Sequence, residues 1–174
     1  MARAVLITGG NLGDVKSRLQ QAQRLINDRV GIVLRCSHRY KSQPWGFTAQ
    51  ERFSNQVLEV DTELSPDELL DEVQTIEKEL GRDREEERRL KEQSGAPYSS
   101  RMIDIDILFY DDLIIESPRL TIPHPLLQER DFVLAPLCEL MKNKRHPVSG
   151  KTVEELRAEL LSKRESEVIG NENE

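Results

Sequence analysis

The order of apolar and polar residues predicts short strands and amphipathic helices along most of the chain. Residues 4–8 form an apolar strand, and a helix follows in which apolar residues recur at helical spacing from Val15 to Ile26. From residue 32 to residue 40 the pattern alternates, which predicts one half-buried strand. The face that its apolar residues share carries Ile32, Leu34, Cys36, His38 and Tyr40. Another strand is predicted over residues 53–60.

The second predicted helix has the clearest boundaries. Ser65 and Glu68 have the spacing of a capping box, Pro66 stands at the first helical position, and Gly81 lies where a C-terminal cap belongs. The apolar stripe of this helix consists of Leu69, Leu70, Val73, Ile76 and Leu80. The highly charged segment 82–100 that follows is predicted to be either a long mobile loop or a fraying helical extension, and such loops are often functional.

The strongest strand signal covers residues 102–110, and a hairpin through Asp111-Asp112 is predicted after it. A short helix around 126–130 and helices over 132–141 and 151–161 complete the pattern. The order β-α-β-β-α-β predicts an α+β fold, a ferredoxin-like sandwich with extra C-terminal elements. We predict a single domain over residues 1–161 and a polar, disordered tail over 162–174.

Composition and charge narrow the classes of partner. The chain has 174 residues, of which 33% are charged, and its formal net charge is -7. This balance argues against a duplex nucleic acid or an anionic membrane, so any phosphate must be bound by a local cluster of positive charge. Cys36 and Cys138 are isolated, which is typical of reduced thiols. Because no apolar run approaches the length of a membrane span, we expect a soluble, cytoplasmic protein.

Two carboxylates on the last predicted strand are the main candidates for chemistry. Residues 103, 105, 107 and 109 are all apolar and are predicted to face the core, so Asp104 and Asp106 face the other way. Their α-carbons would lie about 6.5 to 7 Å apart. A hard cation between them would remove their repulsion and use their oxygens as ligands. This spacing suits two magnesium ions on a phosphate chain better than an acid/base pair, and the alternative is a simple solvated face.

Arginines on both sides of the charged segment strengthen the phosphate hypothesis. Arg101 precedes the carboxylate pair, and Arg82 and Arg84 begin the segment. A loop that brings guanidinium groups over a triphosphate suits phosphoryl-type transfer, in which positioning and charge stabilisation do most of the catalysis. The acidic residues around Arg88 and Arg89 favour a solvated helix instead. The glycines at 9–13 have neither P-loop nor GxGxxG spacing, which favours a strand-to-helix turn.

Several motifs stand in an order and spacing that resemble a known family. They are Gly9-Gly10-Asn11-Leu12-Gly13-Asp14, Tyr40-Lys41-Ser42-Gln43-Pro44-Trp45-Gly46, Phe53-Ser54-Asn55, Arg101-x-x-Asp104-Ile105-Asp106-Ile107 and Ile122-Pro123-His124. Over residues 3–160 the chain resembles the 6-hydroxymethyl-7,8-dihydropterin pyrophosphokinases of folate biosynthesis. The resemblance implies a ferredoxin-like fold with extended catalytic loops. It also implies transfer of the diphosphoryl group of ATP to the pterin's hydroxymethyl oxygen, with release of AMP.

The resemblance also implies a set of site residues. Asp104 and Asp106 would ligate two Mg²⁺ ions that bridge the ATP phosphates, and the catalytic group is Arg82, Arg84, Arg101, Asp104 and Asp106. Phe53 and Phe132 would sandwich the pterin, beside Asn55, Ser42, Gln43 and Trp45. The nucleotide contacts correspond to Gln74, Glu77, Arg84, Arg101, Ile107, Thr121, His124 and Arg130. Arg82 and Arg84 belong to a loop that closes over the site. We expect a monomer that binds ATP and a dihydropterin, without nucleic acid or membrane.

Two other classes of function are kept as alternatives. A ferredoxin-like sensor domain would bind a small molecule without turnover and would tolerate loss of either carboxylate. A nuclease could use the same acidic pair but would need a basic substrate channel, which the net charge of -7 argues against. AMP release from ATP, measured with and without the dihydropterin, separates these classes.

Overall fold

A computed structural model describes residues 1–42, 53–94 and 102–172, without the side chains at 90, 91, 94 and 166–172. Gln43, Trp45 and Arg101 therefore lie outside the described residues. The strands are β1 (Ala2–Gly10), β2 (Gly31–Cys36), β3 (Tyr40–Ser42), β4 (Phe53–Thr62), β5 (Asp104–Tyr110), β6 (Ile115–Glu116) and β7 (Thr121–Ile122). The helices are α1 (Val15–Arg29), α2 (Pro66–Glu79), α3 (Arg84–Ser94), α4 (Asp131–Met141) and α5 (Val153–Glu172), and a 3₁₀ turn spans Leu127–Glu129.

The main sheet has the strand order β2-β4-β1-β5, and β3 pairs with the first residues of β4. All of these pairings are antiparallel. Taken with the element order, this topology is the predicted ferredoxin-like sandwich. Helices α1 and α2 pack on one face of the sheet, and α4 and α5 pack on the other. The sheet is therefore covered on both faces, which explains why β1 is buried along most of its length.

The boundaries of α2 and of the glycine-rich turn follow the sequence prediction. The Ser65 side chain accepts a hydrogen bond from the Glu68 N–H at 3.2 Å, and the Glu68 carboxylate accepts one from the Ser65 N–H at 3.0 Å. Gly81 has φ +105°, a conformation that favours glycine just past a helix end. Residues 11–14 connect β1 to α1, so this glycine-rich segment is the strand-to-helix turn.

The alternating segment 32–40 is not one strand, so that prediction was wrong. β2 ends at Cys36, and the Ser37 N–H and side chain bond to the backbone of Val57. Ile32 is 57% exposed and Leu34 41% exposed, because β2 lies at the edge of the sheet and its register shifts after Val33. The side chain of His38 is also exposed, and it contacts the Glu139 carboxylate of α4 at 3.2 Å.

The register of β5 also departs from the predicted alternation. Leu6 of β1 pairs with Ile107 and Val5 pairs with Phe109, so Leu108 is an extra residue at a bulge. Phe109 therefore packs with the α4 and α5 core, while Ile107 packs with the α1 and α2 core. The predicted face 103, 105, 107, 109 is correct up to residue 107, and the bulge reverses it at Phe109.

Three other regions differ from the sequence prediction or decide between its alternatives. The chain turns at Asp111-Asp112, but the hairpin that follows pairs β6 with β7. Within the charged segment, Arg84–Ser94 is helical. α5 continues to Glu172, where the composition predicts a disordered tail, because its Glu, Lys and Arg residues are good helix formers. The domain boundary at 161 stays a prediction. None of the described helices has the length and apolarity needed to cross a bilayer.

His146 makes the folded state sensitive to acid. It is 8% exposed, its ring packs edge-on against Phe109, and its Nδ1 accepts hydrogen bonds from the Val148 and Ser149 N–H groups. Burial lowers the pKa of His146 below its ordinary value of 6.5. The unfolded chain therefore takes up this proton more readily than the folded one. The associated stability is complete above the ordinary pKa and is lost as the pH falls below it.

We expect the melting temperature of wild-type protein to fall between pH 7.5 and pH 5.5 by more than that of a His146→Asn variant. Asparagine offers a side-chain acceptor near the position of Nδ1 but does not titrate. Thermal denaturation of both proteins across this pH range measures the difference. Equal pH dependence in the two proteins would contradict the assignment of this proton uptake to His146.

Candidate active site

An open cavity lies where the C-terminal end of β1 meets the first residues of β4 and β5. In this antiparallel sheet Gly9 pairs with both Asn55 and Asp104, which brings the three strand ends together. The cavity has a volume of about 550 Å³. Its walls are formed by Ile7, Thr8, Gly9, Ser42, Phe53, Asn55, Asp104, Asp106, Leu108, His124, Arg130, Phe132 and Val133. The structure thus brings the predicted carboxylate pair and most of the predicted pterin residues to one cavity.

Asp104 and Asp106 alternate with buried residues on β5 and face this cavity. The side chain of Asp104 is 20% exposed and that of Asp106 is 35% exposed. One oxygen of Asp106 lies 3.9 Å from Nε2 of His124. Because Nδ1 of His124 accepts a hydrogen bond from the Leu126 N–H at 3.2 Å, the neutral ring carries its proton on Nε2. Burial, followed by the nearby Arg130, lowers the pKa of His124, which favours this neutral form.

The carboxylate pair has the chemistry of a magnesium site that is completed by substrate. Among the described residues, no group of three or more His, Cys, Asp or Glu side chains is arranged to hold a metal alone. Mg²⁺ requires oxygen ligands in an octahedral arrangement and is commonly held by one or two carboxylates together with substrate phosphates and water. Asp104 and Asp106 fit the protein's share of such a site.

The apolar part of the cavity suits a flat heterocycle. Phe53 begins β4 and Phe132 lies in the first turn of α4, so rings from two elements line the same space. Asn55 is 5% exposed, and its Nδ2 donates to Ser42 Oγ at 3.0 Å. The guanidinium of Arg130 lies 5.6 Å from the centre of the Phe132 ring. A buried amide between aromatic rings can fix the orientation of a ring that carries donors and acceptors at its edge.

Gly9 is a site residue that the sequence analysis missed. A Cβ atom at this position would lie 2.6 Å from Asn55 Oδ1 and 3.1 Å from the Ser54 carbonyl oxygen. Glycine therefore allows β1 to pass close to Asn55, and the signal was its place at the end of a strand. Arg18 secures the turn that follows, because its Nη1 donates to the carbonyls of Leu12 and Met102. The apolar wall residues Ile7, Thr8, Leu108 and Val133 gave no signal beyond strand or helix character.

A buried ionic cluster lies behind Asp104. The side chain of Arg82 is 4% exposed, and its Nη1 is 2.5 Å from Glu77 Oε2 and 2.8 Å from Asp104 Oδ1. Its Nε donates to Glu87 at 3.1 Å. Burial lowers the pKa of Arg82, but Asp104, Glu77 and Glu87 outweigh this effect and raise the pKa above its ordinary value. The sequence analysis associated Arg82 with a mobile segment, whereas the structure gives it a fixed place among carboxylates.

Glu77 is the acidic centre of the same cluster. It is 1% exposed, and it accepts hydrogen bonds from Arg82, from Arg84 at 2.7 Å and from the Ile105 N–H at 2.9 Å. Burial raises the pKa of Glu77, and the charge of Arg82 opposes this shift. The contact with Ile105 ties α2 directly to β5, so the cluster connects the helix layer to the strand that carries Asp104.

The residues predicted to contact nucleotide occupy different places. Gln74, Glu77 and Arg84 line a second cavity together with Arg82. His124 and Arg130 line the first cavity. Thr121 is exposed on β7. Ile107 is 4% exposed and its side chain packs in the α1 and α2 core, so a nucleotide contact there would have to use its backbone.

Comparisons with known proteins agree with this geometry. The family model for 7,8-dihydro-6-hydroxymethylpterin-pyrophosphokinase matches residues 5–142. A 2-amino-4-hydroxy-6-hydroxymethyldihydropteridine pyrophosphokinase of Porphyromonas gingivalis is 40% identical over 141 residues, covering 80% of this chain and 91% of that protein. The enzyme of the same name from Aquifex aeolicus is 38% identical over 159 residues, covering 91% of this chain and 92% of that protein.

Solved structures show the same fold. The wild-type HPPK-DHPS of Plasmodium falciparum superimposes with a TM-score of 0.73 at 16% identity, over 95% of this chain and 42% of that chain. An HPPK-DHPS solved in complex with substrates gives a TM-score of 0.72 at 15% identity, over 95% of this chain and 44% of that chain. The chain therefore spans less than half the length of these structural relatives. With the family model matched over most of its length, the chain belongs to the 7,8-dihydro-6-hydroxymethylpterin-pyrophosphokinase family.

Proposed function

We propose that the chain transfers the diphosphoryl group of ATP to the hydroxymethyl oxygen of 6-hydroxymethyl-7,8-dihydropterin, and that the cavity at the end of β1 is where this happens. The reaction gives AMP and the pterin diphosphate, a step of folate biosynthesis. The observation that carries the proposal is the common cavity of Asp104, Asp106, Phe53, Asn55 and Phe132. It places a site suited to phosphate-bound cations beside a site suited to a flat heterocycle.

The pterin would lie between Phe53 and Phe132, with Asn55 bonded to its edge. The buried position of Asn55 supports this orientation, because its amide is already held by Ser42 and cannot rotate freely. Gln43 and Trp45, which lie outside the described residues, are proposed to complete the pocket. The hydroxymethyl group would then point toward the Asp104 and Asp106 wall, where the phosphates arrive.

Asp104 and Asp106 would hold Mg²⁺, and we propose two ions. When bound, Mg²⁺ offsets charge on the phosphates and helps to activate the attacking oxygen. Arg82 and Arg84, with Arg101 next to the pair in sequence, would bind non-bridging oxygens through charge-assisted hydrogen bonds. Gln74 and Glu77 near the second cavity, Arg130, Thr121 and the backbone of Ile107 are the remaining proposed nucleotide contacts.

The substrate oxygen attacks the β-phosphorus in line with the bond to the departing AMP oxygen. A new O–P bond forms as the bond between the β-phosphorus and the AMP oxygen breaks, and AMP leaves with that electron pair. His124 is a donor and not a base in this arrangement, because the hydrogen bond to Nδ1 leaves the proton on Nε2. Its N–H faces the Asp106 side of the cavity and can bind a phosphate oxygen. Asp106 stays the candidate for accepting the hydroxyl proton.

AMP formation tests the proposal directly. Purified protein is incubated with ATP and Mg²⁺, with and without 6-hydroxymethyl-7,8-dihydropterin, and the nucleotides are separated by chromatography. We expect AMP in stoichiometric amount with pterin diphosphate and only when both Mg²⁺ and the pterin are present. Pterin binding without AMP would favour the sensor alternative. Degradation of single-stranded or duplex nucleic acid in the same buffer would favour the nuclease.

Phe132 supplies a more specific test of the pterin position. We expect Phe132→Ala to raise the KM for the dihydropterin about 10- to 100-fold, since stacking on an aromatic ring is worth about 1–3 kcal/mol. The KM for ATP should change little. Phe132→Tyr is the matched control, because it keeps the aromatic face and should stay within about threefold of wild type. Steady-state kinetics with each substrate varied in turn gives both constants. An equal rise in both KM values would argue that Phe132 supports the fold of the site and does not stack on the pterin.

A further inference from the structure

We infer that Arg82 is an internal counter-ion for Asp104, which a divalent cation must displace in order to bind there. This inference rests on the proposed role of Asp104 as a metal ligand. A single guanidinium nitrogen, Nη1, contacts both Glu77 Oε2 at 2.5 Å and Asp104 Oδ1 at 2.8 Å. The side chain is 4% exposed, so this positive charge belongs to the interior of the site.

The arginine and a metal ion compete for the same carboxylate. The lone pair of Asp104 Oδ1 that accepts the Nη1–H bond is not available to a metal, and a divalent ion on this carboxylate would repel the guanidinium. Before nucleotide binds, Arg82 offsets the repulsion between Asp104 and its acidic neighbours. It therefore stabilises the metal-free site and lowers its affinity for free cations.

Displacement of Arg82 does not leave its charge unpaired. Glu77 accepts from Nη1, and Glu87 accepts from Nε with contacts of 3.1 Å and 3.2 Å to its two oxygens. The guanidinium can therefore release Asp104 and keep two carboxylate partners. Once released, Nη1 can turn toward the phosphates that bring the metal. ATP then supplies both the cation that replaces Arg82 and an anion that receives it.

The exchange is coupled to α3. Arg82 lies two residues before Arg84, where α3 begins, and Glu87 is in the first turn of that helix. A movement of the Arg82 side chain away from Asp104 pulls on Glu87 and on the peptide that enters α3. Metal binding at Asp104 should therefore change the stability of the first turn of α3, which is measurable by hydrogen exchange.

Binding of Mn²⁺ to the nucleotide-free protein, followed by electron paramagnetic resonance of the free ion, tests the competition. We expect Arg82→Ala to bind Mn²⁺ at least about fivefold more tightly than wild type, the lower end of typical coupling between two sites. Arg84→Ala is the matched charge control, because it removes an arginine whose ion pair is with Glu77. It should stay within about twofold of wild type, since any long-range charge effect is screened. Equal affinities for Arg82→Ala and Arg84→Ala would overturn the inference.

Two more measurements keep the result clear. Arg82→Lys keeps the charge but not the planar fork, and it carries the test if Arg82→Ala does not fold; we expect tighter Mn²⁺ binding, and unchanged affinity would overturn the inference. Hydrogen exchange at residues 82–94 should increase on Mn²⁺ addition in wild type and not in Arg82→Ala. Asp104→Asn separates the two proposals. If it leaves Mn²⁺ binding intact, the metal assignment fails; if it abolishes binding while Arg82→Ala changes nothing, only the competition fails.

Discussion

Asp104→Asn and Asp106→Asn are each expected to lower the rate of AMP formation at least about 10³-fold, or about 4 kcal/mol of transition-state stabilisation. Both side chains line the cavity and alternate with core residues on β5, so the change removes a charged ligand without disturbing the core. Asparagine keeps the shape and one oxygen but is a much weaker ligand for Mg²⁺ than a carboxylate. Initial rates at saturating pterin and varied Mg²⁺ measure the loss.

The control for this pair is Asp112→Asn. Asp112 lies in the turn after β5 and pairs with Lys144 at 2.7 Å, with its side chain 82% exposed. We expect its turnover to equal that of wild type. Melting curves must show that the Asp104 and Asp106 variants are folded, because Asp104 also binds Arg82. Wild-type turnover in either site variant would remove that residue from the metal site.

Glu77→Ala is expected to cost about 3–5 kcal/mol in the free energy of unfolding, the range for removal of one partner from a buried ion pair. The change leaves Arg82 with one carboxylate fewer, releases Arg84 and takes the acceptor from the Ile105 N–H. For a domain of this size the melting temperature should fall by roughly 6 to 20 °C. Urea denaturation without nucleotide measures the loss apart from any effect on ATP binding.

Glu79→Ala is the matched control on the same helix. Glu79 pairs with Arg29 at 2.8 Å, but both side chains are exposed, at 45% and 38%. Exposed ion pairs contribute about 0–1 kcal/mol, so this variant should stay close to wild type. If Glu77→Ala and Glu79→Ala lost the same small amount, the buried cluster would contribute little to stability, and the contact of Glu77 with a nucleotide would become the better explanation for its presence.

The buried cluster gives the site a particular organisation. Glu77 on α2 holds Arg82 and Arg84, and Arg82 in turn holds Asp104 on β5 and Glu87 on α3. The charges that would act on ATP are thus already connected to one another in the structure. Catalysis by positioning and charge stabilisation requires such pre-arranged groups.

The sequence by itself determined the local part of this protein. The alternation on β5 was sufficient to place Asp104 and Asp106 opposite the α1 and α2 core, because side-chain direction in a strand depends on neighbouring residues alone. The capping box at Ser65 defined the start of α2 for the same reason. The family resemblance, and not the spacing, linked these elements to a pterin and a nucleotide, since nothing local connects Phe53 with Phe132.

The tertiary structure decided whatever depended on distant partners. The bulge at Leu108 reverses Phe109, because the register of β5 is set by β1, about a hundred residues earlier. Ile32 and Leu34 look like core residues in the sequence, but β2 is an edge strand and leaves them exposed. Gly9 is required only because Asn55 crosses close to it.

Arg82 is the clearest case. In the sequence it begins a charged segment that predicts a loop or a solvated helix, and periodicity carries no information about a buried arginine. Its burial is possible because three carboxylates from α2, α3 and β5 converge on it. A buried charge is stable only with such partners, and the partners come together only when the chain is folded. The sequence therefore identified the carboxylate pair, and the fold determined which cation holds one of its members.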